Sequence, residues 1–133
     1  MVMKVLFVCR QNIGRSQMAM ELHRLAHPTD EVASAGTIVD VPGQMLQDAP
    51  APKTIAAMQE LGVDVSRNSR QQLTPEMLDG YDKIIVMSEP NNTPEWLESH
   101  PRAVRWNISD PKEADLVGTE IIRDELQKRT AQL

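Results

Sequence analysis

The chain has 133 residues, 41% of them hydrophobic and 25% charged, and a formal net charge of −5. That length suits a single domain spanning residues 1–133 around one core, and no apolar run approaches the roughly 20 residues that a membrane-spanning helix needs. The acidic balance, with 14 Lys and Arg scattered along the chain, argues against nucleic-acid binding, which relies on clustered cations.

Val5-Leu6-Phe7-Val8 opens the chain as a continuous run of β-formers, the pattern of a strand covered on both faces. Lys4 is the only basic residue near it, and the run ends on a thiol rather than on a small-residue cleavage site, so the N-terminus reads as a strand and not as a secretion signal. That thiol, Cys9, is the only cysteine. It excludes an internal disulfide framework and, with no export signal, points to a free thiol in a reducing cytoplasm.

After Gly14 the pattern becomes helical, with Met18, Leu22, Leu25 and Ala26 at three- and four-residue spacing and Ser16 placed as an N-cap. Glu31 to Ala35 reads as a second strand. The Pro-containing stretch 37–52 shows no strand or helix pattern and is expected to be a long surface loop of functional weight. Lys53 to Leu61 is helical through Ile55, Met58 and Leu61, with Gly62 as its C-terminal cap.

Thr74-Pro75-Glu76 starts a short helix, and Lys83 to Met87 is a third strand. A short helix is expected near Glu95 to Ser99 and a fourth strand over Ala103 to Ile108. Leu116, Ile121, Ile122, Leu126 and Thr130 mark a final amphipathic helix. Strands alternating with helices predict an α/β fold, a parallel sheet with helices on both faces. In such a fold a ligand binds beyond the carboxyl ends of the strands, where Cys9 falls. His23, His27 and His100 are too scattered to make a zinc site with one cysteine and are expected at surface or helix-face positions.

The stretch from Cys9 to Ser16 carries the chemistry. A tight loop leading into a helix offers unpaired backbone N–H groups and the positive end of the helix dipole, and both favour an anion. Such surroundings also favour the thiolate of a nearby cysteine. Ionisation alone adds little rate, because a less basic thiol is also a weaker nucleophile, with a Brønsted slope of about 0.4–0.5. The larger gain comes from donors oriented around the transition state. Arg15 adds a planar fork of N–H groups, Gly14 lets the backbone curl, and Asn12 tolerates a left-handed conformation and can hold the loop. Ser16 can cap the helix, donate to the Cys9 thiolate, or do both. A lone cysteine at a strand end is ordinarily a buried structural residue; the strand, C-x5-R-S loop and helix together favour a nucleophile instead.

These residues resemble the low-molecular-weight protein tyrosine phosphatase superfamily. The likeness continues through "SAGT" at Ser34 to Thr37, "ELGVDVS" at Glu60 to Ser66, "YDKIIVMS" at Tyr81 to Ser88 and the pair Asp110-Pro111. The resemblance implies three layers around a central four-stranded parallel sheet, with the phosphate-binding loop after the first strand. It implies Cys9 as nucleophile, the loop of Arg10, Gln11, Asn12, Ile13, Gly14 and Arg15 as oxyanion cradle, Asn12 and Ser16 as its supports, and Asp110 as general acid. In the implied reaction Cys9 attacks phosphorus while Asp110 protonates the departing oxygen, and water then hydrolyses the phosphocysteine. No metal or organic cofactor is called for, and an acidic optimum is expected because Asp110 must carry a proton in the first step.

Within that superfamily two branches compete. Neither 37–52 nor 112–118 contains an aromatic residue to line a phosphotyrosine cleft. Gly14 to Ala19, and Trp106 four residues before Asp110, look more like the arsenate reductases of the same fold. Thioredoxin-linked members of that branch use two further cysteines, where this chain has Ser88-Glu89-Pro90-Asn91-Asn92, so reduction here would need an external thiol and a redoxin partner. The ligand is thus a phosphate or arsenate oxyanion, a phosphoprotein being one form of substrate. Hydrolysis ranks first, since it needs only the loop, an acid and water. A non-catalytic oxyanion sensor is the third reading, suggested by Gln11 and Gln17 where the phosphatase pattern usually has glycine and proline.

Overall fold

Strands and helices alternate along the chain as β1 (Lys4–Cys9), α1 (Arg15–Ala26), β2 (Glu31–Gly36), α2 (Pro52–Gln59), β3 (Lys83–Val86), α3 (Glu95–Glu98), β4 (Ala103–Arg105) and α4 (Leu116–Ala131), in a computed structural model that describes residues 2–133. All four strands are parallel in the order β2-β1-β3-β4. The chain passes from β1 to one side and then crosses to the other, so the strand order reverses beside β1. The crevice that a reversal leaves at the carboxyl edge of a parallel sheet therefore opens where Cys9 ends β1.

The apolar run of β1 alternates between two cores. Val5, Phe7 and Cys9 pack with Met18, Leu22, Met58 and Leu126 from α1, α2 and α4. Leu6 and Val8 pack on the opposite face with Leu73, Leu78 and Leu97. Two-residue alternation with both sides covered is the physical reason a continuous apolar run forms a central strand. The expected four-stranded parallel sheet with helices on both faces is what folds. Gly62 also has the positive φ of +77° expected of a helix-terminating glycine.

Several local expectations are corrected. Gly14 rather than Ser16 occupies the N-cap of α1, with no side-chain cap bond; Ser16 lies within the first turn because its hydroxyl is engaged elsewhere. The stretch 37–52 is not featureless: Leu46–Asp48 form a 3-10 turn and Met45 bridges Ser69. The element beginning at Pro75 is a 3-10 turn, Pro75–Gly80. The fourth strand stops at Arg105 instead of reaching Ile108, since the Ile108 amide turns back to the Trp106 carbonyl and the Ile108 carbonyl accepts from Arg15.

Of the two positions expected for it, His23 takes the helix face, on the side of α1 that is fully buried. Its Nε2–H donates to Asp30 at 2.9 Å, and its ring packs between Phe7 and His27. An imidazole with one paired nitrogen and an apolar body satisfies a core position that composition alone does not reveal. Among the described residues no helix is long and apolar enough to cross a membrane.

Candidate functional site

The loop 10–14 leaves β1 and enters α1 around a buried asparagine. Asn12 has φ +57°, the left-handed conformation expected of it. Its Nδ2 donates to Ser16 Oγ at 2.7 Å and Ser34 Oγ at 3.0 Å, and its Oδ1 accepts from the Gln71 amide at 2.8 Å. Ser16 Oγ, already accepting from Asn12, has its own proton left for Cys9 Sγ, 3.0 Å away. A hydroxyl donor at that position stabilises a thiolate. Cys9 itself is only 3% exposed.

Gln11 and Gln17, the two departures from the phosphatase pattern, both belong to this scaffold. Gln17 Nε2 donates to the backbone and side-chain oxygens of Asn12 and to Ser69 O, each at 3.2 Å. Gln11 Oε1 accepts from Arg70 Nη2 at 2.8 Å. Arg70, almost fully buried, also reaches Gln11 O, Gln44 and Asp40. Its hydrogen bond to Asp40, above all, holds that carboxyl below the ordinary carboxylate range. Arg70 thus ties the loop after β1 to the stretch 37–52.

Close approach requires the glycine of the "SAGT" stretch. A Cβ on Gly36 would lie 2.6 Å from the Arg10 carbonyl and 2.9 Å from the Asn12 amide nitrogen. Gly14 plays a similar part on the other side, where a Cβ would lie 2.8 Å from Pro111 Cγ. The Asp110-Pro111 turn therefore rests directly on the loop.

Arg15 is 98% hidden yet heavily bonded, at 2% relative exposure. Nη1 donates to Met87 O at 2.6 Å, Ile108 O at 3.1 Å and Glu89 Oε2 at 2.9 Å. Nη2 lies 3.7 Å from Asp110 Oδ2. Burial works to raise the Glu89 carboxyl, but the hydrogen bond and charge of Arg15, with a backbone hydrogen bond, outweigh it and hold it below its ordinary range. The carbonyls and Glu89 pin Nη1, Nη2 also donates to Glu89 Oε1 at 3.4 Å, and among the described residues no hydrogen bond engages Nε. Asp110 Oδ1 accepts from the Lys112 amide at 3.0 Å, which caps the turn and leaves Oδ2 toward Arg15.

Cys9, Arg10, Gln11, Ile13, Gly14, Arg15 and Asp110 line one pocket of about 370 Å³. The sequence-derived candidates therefore converge, with Asn12 and Ser16 buried behind the wall rather than lining it. Pro50, Ala51, Pro52, Lys53, Thr54, Pro111, Lys112, Thr119 and Asp40 complete the lining, and no aromatic side chain is among them. Trp106 packs on Phe7 in the core, with ring centroids 5.9 Å apart. Glu89, Asp40, Arg70 and Lys53 were not anticipated. Glu89 follows the carboxyl end of β3, the edge where ligands bind, and that position was the only available signal.

The arrangement presents a thiol, an arginine, an uncapped helix start and a carboxyl group to one cavity, which suits attack on a tetrahedral oxyanion. Residues 4–133 match the family described as low molecular weight phosphotyrosine protein phosphatase. A glutaredoxin arsenate reductase of Synechocystis is 28% identical over 98% of this chain and 95% of its own length. A Ralstonia nicotianae protein named "Probable low molecular weight protein-tyrosine-phosphatase EpsP" is 30% identical over 96% of this chain and 91% of its own. Vibrio vulnificus Wzb in complex with benzylphosphonate superposes with a TM-score of 0.78 at 27% identity, covering 97% of this chain and 94% of that one.

Proposed function

This chain belongs to the low molecular weight phosphotyrosine protein phosphatase family, and from that premise we propose that it hydrolyses phosphomonoesters through a phosphocysteine. The observation that carries this reading is the meeting of Cys9, Arg15 and Asp110 at one pocket, with Ser16 Oγ directed at the thiol. Everything hydrolysis requires lies within the chain or is water.

In the first step the Cys9 thiolate attacks phosphorus opposite the departing oxygen. The S–P bond forms, the P–O bond breaks, and Asp110 transfers its proton to the leaving oxygen. Arg15, pinned through Nη1, offers its remaining N–H edge to two equatorial oxygens whose charge is spread in the transition state. Ser16 then stabilises Cys9 as leaving group when water, deprotonated by Asp110, attacks phosphorus and releases inorganic phosphate. The side-chain amides of Gln11 and Gln17 are engaged by Arg70 and Asn12, a scaffold role that weighs against reading these two departures as signs of a sensor without turnover.

Arsenate reduction is the second reading, favoured by the near full-length likeness to a glutaredoxin arsenate reductase. With a single thiol in the chain, the two electrons would come from Cys9 and an external thiol, leaving a mixed disulfide for a redoxin to reduce. One preparation decides between them, assayed for phosphate release from an aryl phosphate and for arsenate-dependent oxidation of a reduced nicotinamide cofactor with thiol, redoxin and its reductase added. Phosphate release is the expected result. Arsenate-dependent oxidation without phosphate release would replace hydrolysis with reduction.

A further inference from the structure

The mouth of the pocket carries more positive charge than one oxyanion uses. Of the cations lining it, Arg15 is paired with Glu89, and the Asp40 carboxylate is paired with Arg70. The remaining lining carboxylate, Asp110, lies 3.7 Å from Arg15 Nη2, which leaves Arg10, Lys53 and Lys112 without a carboxylate partner in the lining. None of the three makes an ion pair with a carboxylate among the described residues. Lys53 donates instead to the Ala114 carbonyl, which leaves its charge uncompensated, and the buried Nε of Arg10 has no hydrogen-bond partner.

This local excess stands against a chain whose net charge is −5. Unpaired like charges held around one cavity repel one another and cost stability unless a ligand repays them. The pocket, at about 370 Å³, is also larger than one tetrahedral oxyanion needs and falls at the lower end of small-ligand pockets, roughly 300–1,000 Å³. Its other walls are Ile13, Pro50, Pro52 and Pro111, apolar surface that suits the stem of a side chain rather than more phosphate.

We infer that Arg10, Lys53 and Lys112 form a second anionic subsite at the mouth, and that the favoured substrate is a phosphorylated peptide with Asp or Glu side chains next to the phosphorylated residue. The inference rests on the phosphomonoesterase reading and names its substrate class. The phosphoryl group enters the loop, its stem lies against the prolines, and the neighbouring carboxylates meet the three cations. A free inorganic oxyanion has no flanking groups with which to use them.

The test pairs two phosphopeptides of identical length, one with acidic flanks and one with the matching amides. Binding is measured by titration on the Cys9→Ser protein and turnover on the unmodified protein. Each exposed charge contact contributes about 0.2–1 kcal/mol, so two or three contacts should give the acidic peptide an advantage on the order of tenfold. That advantage should shrink strongly near 1 M salt, where the screening length is about 3 Å. Lys53→Gln combined with Lys112→Gln should cut it to about twofold, and the matching Arg pair should retain it.

Equal or weaker binding of the acidic peptide overturns the inference, as does an advantage that the double Gln variant leaves intact. Turnover of both peptides without preference would leave hydrolysis standing and remove the subsite. A binding preference on Cys9→Ser with no turnover by the unmodified protein would keep the subsite and remove hydrolysis.

Discussion

The two ends of the sheet each hold a buried polar cluster around α1, and they are built to opposite purposes. At the carboxyl end, Asn12, Ser16, Gln17 and Arg15 hold a loop whose scaffold is bonded but whose pocket-facing groups are spare: a thiol, an arginine edge and a helix start with no side-chain cap. At the amino end the bonds run within the fold, the buried His23 Nδ1 lacking a partner among the described residues, and none of the residues lines the pocket. His23 donates to Asp30 Oδ2, Asp30 Oδ1 accepts from the Met3 amide, and His27 donates to the Thr130 carbonyl. A buried polar network with spare capacity aimed at a cavity is organised for a ligand, whereas one whose bonds run within the fold, away from the pocket lining, supports the fold. Perturbed titration alone would not separate them, since His23 and Asp30 are shifted and neither lines the pocket.

Variants at the carboxyl end should therefore change turnover with little effect on stability, and those at the amino end the reverse. The largest effect belongs to Cys9→Ser, which should reduce turnover by about 10⁴-fold or more because the proposed phosphocysteine requires the chain's single thiol. Its thermal midpoint should stay within a few degrees of the parent. Substantial turnover by this variant would refute nucleophilic catalysis by Cys9.

Asp110→Asn comes next. Loss of general acid catalysis costs about 10²–10⁴-fold, and the loss should fall mainly on substrates with poor leaving groups. Equal slowing for good and poor leaving groups would assign Asp110 to structure alone.

Gly14→Ala should have a smaller effect of the same kind. The added methyl would lie 2.8 Å from Pro111 Cγ, so the Asp110 turn must lift. Misplacement by about 1 Å can cost up to 10²-fold in rate; a tenfold loss confined to poor leaving groups is expected, and Pro111→Ala added to Gly14→Ala should recover part of it. A loss of the same size for all substrates would place the fault in the loop instead.

The smallest effect is on stability, at the amino end. His23 pairs Nε2–H with Asp30, so its Nδ1 is an acceptor buried without a partner, and burial lowers its pKa against the opposing pull of Asp30. Below the ordinary histidine value of 6.5 the unfolded chain binds a proton that the folded chain resists. Stability is therefore complete above that value and declines as pH falls from there through the folded-state value, with a slope of at most about 1.4 kcal/mol per pH unit. Asp30, also held low by the Met3 amide and by His23, adds its own decline below the ordinary carboxylate value of 3.8. Denaturant unfolding between pH 7 and pH 5 should show the first decline, and His23→Gln should flatten it. A pH-independent midpoint in the parent would contradict this account.

The site's core was legible because local chemistry dictates it. A buried strand must place its last residue at the sheet edge, and C-x5-R-S leaves little choice about which groups can surround an anion. Asn12 was readable as left-handed for the same reason, since few side chains accept that backbone. Of the two roles open to Ser16, the bond to Cys9 is the one it takes and the cap is not, because its hydroxyl accepts from the Asn12 side-chain amide and is directed at the thiol. His23 does lie on a helix face, but that this face is buried was not legible, because its partner Asp30 lies past the end of α1 and Phe7, which packs on its ring, comes from β1. The fourth strand was overextended because apolar residues after Arg105 read as strand whether they pair or turn back.

The sequence by itself determined the alternation of strands and helices, the central apolar strand, and the thiol and arginine of the loop, because each follows from periodicity or from residue chemistry over a few positions; Asp110 was reached only through the family resemblance. Only the tertiary structure decided that Glu89 pins Arg15, that Arg70 joins the loop to Asp40, that Pro111 rests on Gly14 and that three cations with no carboxylate partner among the described residues line one pocket. Those contacts join residues far apart in the chain. Their partners are chosen by the order of strands in the sheet, which no local pattern encodes.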